Sequence, residues 1–131
     1  MAPKEEPVRV ALIVEDDSEV RGLAAALLEE TDLKVVEAAS AQEAFDYLRQ
    51  NADQVAFLFT DMHLSNLTDG SDLVRTVRLN WPWVRTVVTA GWPVDPLFDD
   101  MPGDVRFMPK PWRALDVLME AERAAQAYRR D

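Results

Sequence analysis

Residues 8–17 read VRVALIVEDD, a β-branched apolar run that ends in three consecutive carboxylates. Nothing polar interrupts it after Arg9, as expected of a strand covered on both faces. The pattern recurs: residues 55–60 (VAFLFT) lead into Asp61, residues 84–88 into Thr89, and residues 105–108 into Lys110. A parallel α/β sheet collects its functional groups at the carboxyl ends of its strands. Carboxylates, a hydroxyl and an ammonium far apart in the chain would therefore meet in one crevice.

Between these runs the apolar spacing turns helical. Val20, Leu23, Ala24, Leu27 and Leu28 predict a first helix that Asp17 or Ser18 can cap. Residues 33–38 predict a second strand, and Ser40 with Glu43 forms a capping-box pattern ahead of a helix ending near Asn51. Leu73, Val74 and Val77 mark a third helix that stops before Pro82. Residues 85–89 and 105–108 predict the last strands, and Pro111 suits the first turn of a final helix carrying Leu115, Leu118 and Met119 on one face. Alternating strands and helices with short connections predict a parallel sheet with right-handed crossovers, here five βα units. The stretch 91–103, with Gly91, Pro93, Pro96, Pro102 and Gly103, either holds a fourth helix of a turn or two beginning near Pro96 or is an ordinary loop.

With 131 residues, the chain suits one domain over residues 8–131 after a flexible, charged, proline-bearing start at 1–7, with no separate output domain expected. The absence of cysteine excludes disulfides and thiolate metal ligation. A net charge of -10 argues against direct nucleic-acid binding, since no basic field attracts phosphates. No apolar stretch approaches the roughly 20 residues that span a bilayer, and the start does not read as a secretory signal. A cytoplasmic protein without membrane contact is the expectation.

Carboxylates gathered from two strand ends repel one another unless a cation sits between them. Hard oxygen donors of this kind suit Mg²⁺, although an acidic run at a helix start also complements the macrodipole without any metal. Asp61 would emerge from a buried strand as a candidate nucleophile, with Lys110 able to pair with it and Thr89 able to donate a hydrogen bond to a phosphoryl oxygen.

From Val8 to the last helix the chain resembles the receiver domain of bacterial two-component response regulators. The motifs are LIVEDDSEVR (12–21), FLFTDMHL (57–64) with Asp69-Gly70, VVTAG (87–91) and RFMPKPW (106–112). The resemblance implies a (βα)5 fold of the flavodoxin-like or CheY-like type, with strand order 2-1-3-4-5, helices on both faces and a short or distorted fourth helix. It implies Asp61 as phosphoacceptor, and Glu15, Asp16, Asp61 and the backbone carbonyl of His63 as Mg²⁺ ligands, with Asp17 entering the helix or neighbouring the metal. Thr89, Ala90 and Lys110 would bind the phosphate, and Thr89 and Phe107 would form a switch, Phe107 serving equally as core. The implied partners are a histidine kinase or histidine phosphotransferase, a downstream protein and a weakly bound second copy. Such a domain catalyses only its own phosphoryl transfer and dephosphorylation.

Two segments depart from the family pattern. Ser65 stands where proline is usual, and the loop to Gly70 is one residue longer; the other is the proline-broken stretch after Thr89. His63, two residues past Asp61, holds a position that influences phosphate loss in this family, or it simply faces solvent. Trp92 and Trp112 are expected beside the site and Trp81 and Trp83 at the opposite end, as partner anchors or buried rings. Other readings are a phosphorylation-independent interaction module and an aspartate-nucleophile phosphohydrolase of the haloacid dehalogenase type. The latter wants a second Asp where His63 stands. A dinucleotide-binding enzyme fails because no glycine-rich cradle follows the first strand.

Overall fold

The structure, a computed structural model, describes residues 8–64, 70–91, 101 and 103–128. The loop over Ser65 to Asp69, Trp92, the expected fourth helix and the N-terminal residues 1–7 lie outside the described residues.

Five parallel strands form one sheet in the order β2-β1-β3-β4-β5. Every residue of β1 (Val10–Val14) and β3 (Val55–Asp61) is buried, which is why these two segments read as uninterrupted apolar runs. The edge strands β2 (Lys34–Ala38) and β5 (Arg106–Pro109) are only partly covered and carry Lys34, Glu37 and Arg106. β4 (Arg85–Ala90) lies between β3 and β5.

Side chains alternate across the sheet and split the core into two layers. Ala11, Ile13, Phe57, Phe59 and Val87 pack under α1 (Ser18–Leu28) and the C-terminal helix α4 (Ala114–Tyr128). Val10, Leu12, Val14 and Leu58 pack under α2 (Ala41–Asn51) and α3 (Gly70–Asn80). Asp17 caps α1 by accepting from the N–H groups of Glu19 and Val20. Ser40 caps α2, and Glu43 reaches back to the N–H of Ala39, one residue earlier than a strict capping box.

Three sequence expectations change. β1 begins at Val10, and Val8 is exposed. Pro111 follows a cis Lys110-Pro111 bond and precedes α4, which starts at Ala114 rather than at the proline. Leu115 and Met119 face outward, and α4 instead buries Val117, Ala121, Ala124 and Ala125. Polar contacts pin the helix from three sides: Arg9 donates to the carbonyl of Ala125 at 3.1 Å, Arg85 pairs with Glu120 at 2.8 Å, and the Tyr128 hydroxyl donates to the carbonyl of Asp53.

Candidate functional site

The sheet register brings the strand ends level. Val14 lies beside Thr60, and Asp61 lies directly opposite Thr89. Thr89 in turn lies beside Met108 and Ala90 beside Pro109, so Lys110 follows immediately at the same edge. Backbone bonds lock this arrangement: Met62 N–H donates to Thr89 at 2.8 Å, and Lys110 N–H donates to Ala90 at 2.8 Å.

Glu15, Asp16 and Asp61 each place one carboxylate oxygen within 4.8 Å of the others. Glu15 and Asp61 are almost wholly buried, at 4% and 7% exposure, and Asp16 is exposed. The Lys110 ammonium sits between the buried pair, 2.9 Å from Glu15 and 2.8 Å from Asp61. The second oxygen of Asp61 accepts the N–H of His63 at 3.0 Å, and the second oxygen of Glu15 accepts the N–H of Asp17 at 3.1 Å. The His63 side chain is exposed.

One ammonium shared by two carboxylates leaves negative charge uncompensated. Burial raises the Glu15 pKa above its ordinary value, and the neighbouring Asp61 charge adds to the rise against the lowering effect of Lys110. Burial works to lower the Lys110 pKa, but its bonds to Asp61 and Glu15 outweigh that and leave it raised. Three hard oxygen donors with surplus negative charge form the donor set that Mg²⁺ takes, so the residues fit that ion.

A raised folded-state pKa means that ionised Glu15 is less favourable in the fold than in the unfolded chain. Its stabilising contribution is complete below the ordinary value of 4.5 and is lost as pH rises through the raised folded value. In EDTA, Glu15→Gln is therefore expected to melt with wild type below pH 4.5 and at higher temperature above that window. Mg²⁺ is expected to stabilise wild type and not the variant. Identical metal-free melting of the two at pH 7 would contradict this assignment of charge.

Thr89 and Phe107 leave the sheet on opposite faces. Thr89 shares a small cavity with Glu15, Asp61, Phe59 and Trp112 in the α1 and α4 layer. Phe107 pairs with Val88 and packs against the cluster of Met62, Val74, Val88, Ala90, Met101 and Val105. Trp112 sits beside the site, its ring edge-on to Phe59 at 5.6 Å, whereas Trp81 and Trp83 lie at the far end, where the Trp83 indole donates to the Ala52 carbonyl.

Two features escaped sequence reading. Lys110 pairs with Glu15 as well as Asp61, a contact across 95 positions. Arg21, one helical turn into α1, donates to the main-chain carbonyl of Glu15 at 2.8 Å. No local pattern marks that arginine as different from an exposed helix residue.

The sequence matches the family described as response regulator receiver domain over residues 11–121. It is 29% identical over 103 residues to the sensor kinase CckA of Brucella abortus (strain 2308), covering 77% of this chain and 11% of that protein. The chain thus spans about a tenth of the length of that relative. Among solved structures, a response regulator receiver domain protein from Clostridium thermocellum superposes with a TM-score of 0.80 at 22% identity, over 91% of this chain and 95% of that one. The signal receiver domain of an HD domain-containing protein from Pseudomonas fluorescens Pf-5 does so with 0.83 at 19% identity, over 95% and 99%. The receiver domain of NtrX from Brucella abortus gives 0.76 at 24% identity, over 88% and 98%.

Proposed function

The chain belongs to the response regulator receiver domain family of two-component signalling, and from that premise we propose that Asp61 is its phosphoacceptor. The donor is a phosphohistidine on a histidine kinase or histidine phosphotransferase. One observation carries this reading: Asp61 ends the central strand with its carboxylate held between Lys110 and the His63 N–H, within reach of two further carboxylates.

In the transfer, an Asp61 carboxylate oxygen forms the new bond to phosphorus as the phosphorus–nitrogen bond of the donor breaks, its electron pair leaving with the imidazole. Glu15, Asp16, Asp61 and the His63 carbonyl would hold Mg²⁺. Bound there, the ion would offset charge on the transferring group. Lys110 keeps a partner throughout, exchanging carboxylate oxygen for phosphoryl oxygen. Thr89, directly opposite Asp61, supplies a hydroxyl to another oxygen, and Ala90 lies next along the strand. Phosphoryl transfer asks for positioning more than for covalent chemistry from the protein, and Asp61, Thr89 and Ala90 sit on buried strand ends.

The phosphorylated chain then signals through contacts with a further protein. Thr89 and Phe107 carry the change by way of β4, because their side chains lie in opposite layers. Phosphorylation can shift the two states only by its differential stabilisation, roughly 5.5 kcal/mol for a swing from 1:99 to 99:1. Signalling by phosphohistidine relay places the chain in the cytoplasm. No helix among the described residues is long and apolar enough to cross a membrane.

Incubation with acetyl phosphate and Mg²⁺ tests the reading. Intact mass is expected to rise by one phosphoryl group, and EDTA is expected to prevent the rise. The absence of any metal-dependent gain would overturn the proposal.

A further inference from the structure

We propose that Arg21 is a positioning residue for the acidic pair, setting the peptide plane between Glu15 and Asp16 and so the direction in which Asp16 meets the metal. The inference rests on the Mg²⁺ reading of the site above. Around the turn from β1 into α1, the polar groups are held by a set of hydrogen bonds. Glu15 N–H donates to Ala38, the Glu15 carboxylate takes Lys110 and the Asp17 N–H, and the Asp17 carboxylate caps the helix. The Asp17 carbonyl accepts the Arg21 N–H at 2.9 Å. The peptide joining Glu15 to Asp16 is held by the Arg21 guanidinium, 2.8 Å from the Glu15 carbonyl oxygen.

Arg21 is itself held. Its Nε lies 3.3 Å from Glu37 on β2, and its side chain is only 20% exposed. The guanidinium thus ties the acidic turn to the neighbouring strand as well as to its own helix. Asp16 is the member of the trio that lies in solvent, so its reach depends on the backbone plane from which it departs.

The sign of the effect separates positioning from simple charge. An arginine acting only through its charge would oppose a divalent cation, and its removal would tighten binding. A residue acting by orientation predicts the reverse, since groups that orient metal ligands typically contribute about 10- to 100-fold in affinity. The ion pair with Glu37 is partly exposed, so its loss should change stability little.

The test is calorimetric titration of Mg²⁺ into wild type, Arg21→Ala and Arg21→Lys, with thermal melts of each metal-free chain. Arg21→Ala is expected to weaken Mg²⁺ by about 10-fold or more with a near-native melt. Arg21→Lys, which keeps the charge and one donor, is expected to recover part of the loss. Unchanged or tighter binding by Arg21→Ala overturns the proposal while leaving the site reading intact. If Arg21→Ala unfolds, Arg21→Lys binding with wild-type affinity beside a lowered melt marks a merely structural role and overturns it. A wild type that binds no Mg²⁺ overturns both readings.

Discussion

Asp61→Asn is expected to abolish phosphoryl uptake from acetyl phosphate while leaving the fold in place. The substitution preserves shape but exchanges an anionic oxygen for an amide nitrogen with no nucleophilic lone pair. Both neighbours of this carboxylate are donors, the Lys110 ammonium at 2.8 Å and the His63 N–H at 3.0 Å. Whichever way the amide turns, its NH₂ meets a donor, a mismatch that costs about 1–3 kcal/mol. Relief of burying a charge beside Glu15 offsets part of that cost, because the pair would no longer share one ammonium. Mass spectrometry after incubation with Mg²⁺ and acetyl phosphate should show an unmodified variant beside a modified wild type. Denaturant unfolding should place the two within about 2 kcal/mol. A variant that still gains one phosphoryl group would move the acceptor to another residue.

Phe57→Ala is expected to cost about 3–5 kcal/mol of stability. Phe57 is fully buried, ranks among the largest such side chains, and stacks on Phe59 with ring centres 6.1 Å apart. It lies on β3 four positions before Asp61, with α1 and α4 residues packed over it. Alanine leaves a void in the layer between β3 and the helices α1 and α4, and neighbouring Ala24, Ala25, Ala121 and Ala124 are too small to fill it. Against a typical total of about 5–15 kcal/mol, the loss is a large share. Urea unfolding should show a lowered midpoint with an unchanged slope. A change below about 1 kcal/mol would mean that the layer collapses onto the gap without penalty.

The central strands and the first three helices were legible because each carries its signal locally. β1 and β3 are buried on both faces and so read as unbroken apolar runs, and the Asp17 and Ser40 caps stand where the spacing predicts them. The last helix was legible as a helix but not in its orientation. Two of its large apolar residues, Leu115 at 66% exposure and Met119, point away from the core, and an alanine-rich stripe points inward. Periodicity weighs hydrophobicity, whereas a helix drawn close to a sheet by Arg9 and Arg85 is selected for small residues at the contact.

The residues that stand at the strand ends, Glu15, Asp16, Asp61, Thr89 and Lys110, follow from the order of apolar runs along the chain. Their family follows from the same motifs. What each one touches is a different matter. That Lys110 bridges two carboxylates, that Arg21 holds the carbonyl between the acids, and that Thr89 and Phe107 face opposite layers all depend on strand order and register. Local spacing encodes an element and its ends. A contact across 95 positions exists only once the sheet has set its strands side by side.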